Sequence, residues 1–324
     1  MAIPLIVRKE AEPMLTTPMD VLTQYPIRKS KQQKQAFRDA VQSYAQKLGY
    51  DSAIEKGSYG VHNVVIGDPE QSRYLITAHY DTCARMVVPN LVTPCNIPFF
   101  ILYQIFVVLL ILLPSLSVGF LFGFLPGVKG FAGTAALAVY WILLIGMLFG
   151  PANPSNANDN TSGVVTLLET MRTLPENQRH KVCFVLFDLE EAGMLGSSAY
   201  RKAHKNVTNT QLVLNMDCVG DGDHLLIFPN KKLRKDKKRL TSLYKACGYF
   251  GKKSLLVHEK GPFIYPSDQA NFPYGAAIAA CNRRKGLGYF YSRIHTPRDT
   301  VLDETNVNLL RAALTTFICC DAAQ

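Results

Sequence analysis

Two adjacent glutamates, Glu190 and Glu191, follow the apolar run Phe184 to Phe187 in FVLFDLEEAGMLGSSAY, with Asp188 just ahead of them. A carboxylate taken out of water is costly unless something answers its charge. Several at one strand end therefore ask for a cation or for proton chemistry. Four further stretches carry comparable groups. TAHYDT closes an apolar run with His79 and Asp81, and NPSNANDNTSG places Asp159 in a turn-rich segment ahead of VVTLLETM. LVLNMDCVG carries Asp217 at the end of another apolar run, and YSRIHTPRDT holds His295. Singly, each has a plain structural reading: a hydrogen-bonded histidine, or a helix cap for Asp159. Jointly they make His, Asp, Glu, Asp and His at strand ends or in the loops just after them, where open α/β sheets build their sites.

Positions i and i+2 of a strand share a face, so Asp81 is expected beside the His79 ring. A carboxylate accepting the second ring N–H is the usual way to fix a metal-binding imidazole. Oxygen and imidazole donors without cysteine suit zinc, and less readily manganese or cobalt. Five such donors exceed what one hydrolytic zinc with an open position needs, and match two ions sharing a bridging carboxylate. Two divalent ions against three ligand carboxylates leave about one positive charge, which favours hydroxide over water between them. One carboxylate then remains for proton transfer.

These groups must be positioned by regular elements, and the hydrophobic pattern supplies them. Ser30 to Leu48 reads as an amphipathic helix, followed by strands at Val61–Ile66 and Tyr74–Ala78. Beyond residue 180 strands are expected at Val182–Asp188, Leu212–Asp217, His224–Phe228, Ser254–His258 and Ala276–Cys281. Helices are expected at Leu195–His204, Lys237–Cys247 and Thr305–Cys319. This alternation predicts an α/β fold with helices on both faces of a sheet. No internal repeat is present. The 324 residues suffice for one large domain; we read 1–29 as an N-terminal extension and 30–324 as the enzyme domain, interrupted at 97–150.

That interruption is the anomaly of the chain. Between Arg85 and Asp159 the single charged residue is Lys129. Pro98 to Phe124 and Gly130 to Phe149 are each long enough to cross a bilayer, which takes roughly 20 apolar residues, and PGVKG between them is a tight turn. Pro114 is expected to kink the first segment or shorten its straight part. The pair reads as a helical transmembrane hairpin rather than as two core helices, with both ends on one side of the membrane. Basic flanks and the lack of a signal-peptide core in MAIPLIVRKEAEPML place that side in the cytoplasm.

The net charge of +10 is concentrated in KKLRKDKKR, Lys231 to Arg239. It reads as a solvated loop entering a helix, with an anionic membrane surface as the functional alternative; no nucleic-acid-binding module accompanies it, so nucleic acid is not expected as a partner. The eight cysteines form no C-x-x-C pair and mostly sit in apolar runs, which suits a reducing compartment.

AHYDT, ANDNTSG, FDLEEAGMLGSSAY, NMDCVG and IHTPRDT, in this order, resemble the family-28 zinc metallopeptidases, the di-zinc aminopeptidase-like enzymes. The resemblance runs roughly from Ala36 to Leu310, with the hairpin inserted. It implies a mixed, mostly parallel central sheet flanked by helices. Carried over residue by residue, His79 and Asp217 would hold one Zn2+, Glu191 and His295 the other, and Asp159 would bridge them. Asp81 would orient His79, and Glu190 would be the general base for a water held between the metals, giving a membrane-associated aminopeptidase acting on peptides. One departure is Gln269, which stands in PSDQANFP where many relatives have the histidine of Ser-Asp-His. Two other readings stay open: a non-catalytic binding or scaffold member of the fold, and a glutaminyl-cyclase-like single-zinc acyltransferase.

Overall fold

The computed structural model describes residues 14–320. The stretch examined for a signal peptide therefore lies almost wholly outside the described residues. Among the described residues ten strands form one sheet: β1 (Ser52–Lys56), β2 (His62–Ile66), β3 (Tyr74–His79), β4 (Val182–Phe187), β5 (Leu212–Met216), β6 (His224–Pro229), β7 (Gly248–Phe250), β8 (Lys253–Val257), β9 (Gly275–Arg284) and β10 (Gly288–Phe290). Their order is β1-β2-β4-β3-β5-β9-β6-β8-β7, with β10 paired to β9. The centre, β4-β3-β5-β9, is parallel, and antiparallel pairings occur toward both edges. Every residue of β3, β4 and β5 is buried. That is why they read as unbroken apolar runs: strands of a parallel sheet are covered on both faces.

The helices are α1 (Asp20–Gln24), α2 (Lys31–Lys47), α3 (Ile97–Phe124), α4 (Ala132–Phe149), α5 (Gly163–Thr173), α6 (Leu195–Ala203), α7 (Lys205–Thr208), α8 (Lys231–Lys235), α9 (Lys237–Tyr244) and α10 (Glu304–Cys320). In α2, Ser30 and Gln33 form a capping box, satisfying two otherwise unpaired N–H groups. Its apolar face, with Phe37, Val41 and Tyr44, joins the main core under β2, β3 and β4. Leu15, Val21 and Tyr25, within residues 1–29, are buried in that same core.

The structure departs from the sequence reading at short or polar elements. Strand β1, SAIEK, has no apolar run, and β7 and β10 are three residues each. The basic run is not a loop: α8 and α9 meet at Asp236, whose side chain accepts the Arg239 N–H at 3.1 Å. Lys232 and Arg239 lie over the Tyr274 ring at 4.5 and 4.1 Å.

Helices α3 and α4 form an antiparallel pair, and α3 passes Pro114 without a break. Ser115 and Ser117 donate to the carbonyls of Ile111 and Leu113 at 2.7 and 2.8 Å, keeping polar groups near the proline occupied. Ser115 and Gly119 are the buried residues of α3. A Cβ on Gly119 would lie 2.9 Å from the Ala136 Cβ and 3.0 Å from the Ala132 carbonyl, so only glycine permits this approach. Outward, fourteen large apolar side chains of α3 and seven of α4 are exposed. Both helices are long and apolar enough to cross a membrane, and they are not core helices.

Candidate active site

The parallel strands β3, β4 and β5 end side by side, and the chain delivers a polar group from each. His79 closes β3; Glu190 and Glu191 follow β4 after a two-residue connection; Asp217 directly follows β5. Asp159 comes from the turn before α5 and His295 from the loop after β10. The structure brings all six to one cleft of about 280 Å³.

Asp159 stands at its centre. Its two carboxylate oxygens diverge, Oδ1 lying 3.3 Å from His79 Nε2 and Oδ2 3.1 Å from His295 Nε2. Asp217 Oδ1 lies 3.9 Å from the same His79 nitrogen, and Glu191 Oε2 3.5 Å from the His295 nitrogen. The cleft thus has two halves, His79 with Asp217 and His295 with Glu191, joined by one carboxylate.

The loops around these groups are heavily determined. Asp299 accepts the N–H groups of Asn158 and Asp159 at 2.9 and 3.0 Å. Asn160 accepts from Gly163 and Cys218 and donates to the Met216 carbonyl, tying the Asp159 turn to the end of β5. The Asp159–Asn160 peptide is cis, and His295 has a φ of 61°. At the start of α6, a Cβ on Gly196 would lie 2.1 Å from the Asp188 carbonyl, so this close approach to the end of β4 requires glycine.

Asp81 lies beside the His79 ring: its carboxylate is 3.6 Å from Nδ1, and its main-chain oxygen is at 3.2 Å. The same carboxylate also accepts the N–H groups of Glu190 and Glu191 at 3.1 and 3.3 Å, which ties it to the loop after β4. Asp188 leaves the cluster altogether. It pairs with Lys34 of α2 at 2.7 Å and accepts the His62 N–H at 3.0 Å.

Two residues outside the sequence-derived set matter here. Asp299 is the buried anchor of the Asp159 turn. Asp268 is fully buried, with the Ser197 hydroxyl beside its carboxylate. Their sequence signals, TPRDT and PSDQ, were visible, but burial was not. Gln269 is buried beside Asp268: it donates to the Tyr265 carbonyl at 2.8 Å and does not line the cleft. Cys83 has its sulfur near Glu191 and His295. Burial keeps it a thiol, well above its ordinary pKa, and it donates to Asn156 Oδ1 at 3.4 Å.

The electrostatics follow from crowding carboxylates away from water. Burial, reinforced by Asp268, Glu191 and Asp217, pushes Glu190 well above the usual carboxylate range despite the opposing pull of His79. Burial, opposed by His295 and helped by Asp159, takes Glu191 to about 7. Burial also raises Asp268 and Asp299 to about 7. Burial alone would lower the His79 and His295 imidazoles, but the surrounding carboxylates win, and His295 reaches about 9. Asp159 is held low, because the hydrogen bonds of both histidines outweigh its burial. Glu191 Oε1 is buried without a partner. A donor set of carboxylates and imidazoles, with an unanswered buried oxygen and more acid than base, fits divalent cations.

Solved structures share this fold. Legionella pneumophila LapA aminopeptidase superposes with a TM-score of 0.55 at 14% identity, over 95% of this chain and 70% of that one. A second crystal structure of LapA gives 0.56 at 15% identity, over 95% and 72% of the two chains. PhTET1-12s, solved as a dodecamer, gives 0.50 at 11% identity, over 94% and 99%. No curated protein matches the sequence. The profile of peptidase family M28 matches residues 145–318, which include Asp159, Glu190, Glu191, Asp217 and His295. His79 and Asp81 precede the matched span, across the hairpin, yet fold into the same cleft. This chain belongs to peptidase family M28.

Proposed function

We propose that the protein is a membrane-associated di-zinc aminopeptidase whose catalytic domain faces the cytoplasm. The observation that carries the metal count is the divided carboxylate of Asp159, with one oxygen toward His79 and the other toward His295. Two half-sites sharing one carboxylate favour this reading over a single-zinc acyltransferase, which has no use for both histidines. His79 and Asp217 would hold one ion and Glu191 and His295 the other, with Asp159 between them. Bound there, zinc polarises the scissile carbonyl and acidifies water at neutral pH.

The chain's own residues do the rest. Glu190, in the same cleft, takes a proton from the attacking water and returns it to the leaving amine. Asp81 fixes the backbone of Glu190 and Glu191, so base and ligand are held as one unit. These groups support an enzyme over a non-catalytic scaffold, because base and donors are all retained.

Membrane association rests on the bare outer face of the hairpin. Each large apolar side chain left in water forgoes about 1.5–3 kcal/mol. Summed over the exposed residues of α3 and α4, this exceeds the roughly 5–15 kcal/mol stability of a typical domain. Strand β3 precedes the hairpin and is hydrogen-bonded on both edges by β4 and β5, which follow it. Two crossings that return to the same side satisfy that constraint.

The test is metal analysis of detergent-purified protein together with an aminoacyl-amide panel on wild type and Glu190→Gln. We expect about two zinc per chain in both, and a kcat lowered by about 10²–10⁴ in the variant. Wild-type turnover in Glu190→Gln, or one zinc per chain, rejects the mechanism.

A further inference from the structure

The hairpin does more than sit beside the cleft. Phe100 and Gln104, one helical turn apart on α3, line the same cavity as His79, Asp159 and Glu190. Gln104 is the single carboxamide in α3 and α4, surrounded in sequence by Ile101, Leu102, Ile105 and Phe106. Its carboxamide offers that cavity both a hydrogen-bond donor and an acceptor.

Its height can be read from the helix packing. Gly119 of α3 abuts Ala132 and Ala136 of α4. Equal rise down both helices from that contact puts Gln104 level with Phe149, the last residue of α4. With 18 residues, α4 spans roughly 27 Å, close to the hydrocarbon thickness of a bilayer. With 28 residues, α3 is longer, so its first turns stand below the hydrocarbon, at the interface. Those turns are fixed to the peptidase domain: Tyr103 Oη donates to the Pro89 carbonyl, Asn96 donates to the Leu287 carbonyl at 3.2 Å, and Phe100 packs on the core cluster that includes Val92 and Ile294.

Building on the proposed peptidase reading, we propose that the first turns of α3 are part of the substrate site, and that the enzyme takes apolar peptides lying at the bilayer surface. Phe100 with Val92 and Ile294 receives an apolar side chain next to the scissile bond. The Gln104 carboxamide hydrogen-bonds the peptide backbone as it leaves the hydrocarbon. The hairpin is then a specificity element as well as an anchor.

The experiment uses the full chain in phosphatidylcholine vesicles and two peptides with the same first two residues, one with an apolar membrane-partitioning tail and one with a water-soluble tail. Wild type should prefer the apolar peptide by about tenfold in kcat/KM. Gln104→Leu should raise KM for that peptide about five- to tenfold, the worth of one hydrogen bond, while kcat stays near wild type. Phe100→Ala should act in the same direction, and Leu102→Ala, on the outer face of the same turn, should change nothing. Metal content and thermal midpoint are measured on each variant to show that the fold is intact. Partitioning alone would leave the preference unchanged in Gln104→Leu. Unchanged KM in both Gln104→Leu and Phe100→Ala, with wild type active, overturns this inference and leaves the peptidase reading standing. A wild type that hydrolyses neither peptide nor any aminoacyl amide rejects both.

Discussion

The cleft at the ends of β3, β4 and β5 and the outer face of α3 and α4 are opposites that share one property. The first buries acidic side chains with too few cations around them; the second exposes apolar side chains with nothing covering them. Each is unfavourable for a protein alone in water. The lesson is that each region asks for something beyond the polypeptide: the donor set of the cleft fits divalent cations, and the two helices are long and apolar enough to cross a membrane.

The sharpest way to break the comparison at the cleft is Asp159→Ala. It removes the carboxylate shared by both halves, and we expect zinc to be lost and hydrolysis to fall to background, measured by metal analysis and turnover. Retained stoichiometric zinc would mean that the halves are independent. At the hairpin, Leu113→Lys puts a charge on the exposed face near mid-helix. In lipid this costs about 2.5–3.5 kcal/mol and should reduce membrane integration, assayed by carbonate extraction. Improved solubility with unchanged activity would place the hairpin in water.

Removing metal should expose the charge imbalance as a pH dependence. In the metal-free fold Glu191, Asp268 and Asp299 are raised to about 7. A carboxyl held above its unfolded value of about 4 binds a proton that the unfolded chain has released, so its contribution to stability falls as pH rises from about 4 to 7. His295, held at about 9, contributes fully below about 6.5 and loses that contribution as pH rises through 9. Both effects run the same way. In chelator, the thermal midpoint should drop by several degrees between pH 5 and 9, and zinc should remove most of the slope. A midpoint independent of pH in chelator would contradict the electrostatic picture.

The smallest expected effect is at the helix contact. Gly119→Leu pushes a side chain into Ala136 and the Ala132 backbone, costing about 1–3 kcal/mol by overpacking. It should lower the detergent-resistant thermal midpoint by a few degrees and leave zinc content unchanged. An unchanged midpoint would mean that the two helices separate without penalty.

Much of the sheet was legible because β3, β4 and β5 are unbroken apolar runs, and the polar residues that end them stand out. That His79, Asp159, Glu190, Glu191, Asp217 and His295 share one cleft followed from the same pattern. That the Asp81 carboxylate also accepts the Glu190 and Glu191 N–H groups was not legible, because those groups belong to another loop. Nor was the departure of Asp188 to Lys34, a pairing across 154 positions. Asp268 resembles any surface aspartate until the fold encloses it. Short or polar strands such as β1 and β7 take their shape from neighbours rather than from their own residues.

The place of the hairpin in the chain has a consequence for biosynthesis. The ribosome delivers His79 and Asp81 before the two apolar helices, and Asp159, Glu190, Glu191, Asp217 and His295 after them. Strand β3 emerges with neither neighbour, since β4 and β5 are both still to be made. The cleft closes only when the chain has passed through α3 and α4 and come back. Assembly of a working peptidase is thereby scheduled behind the apolar hairpin, so the nascent chain holds only part of its catalytic equipment while the hairpin is being made.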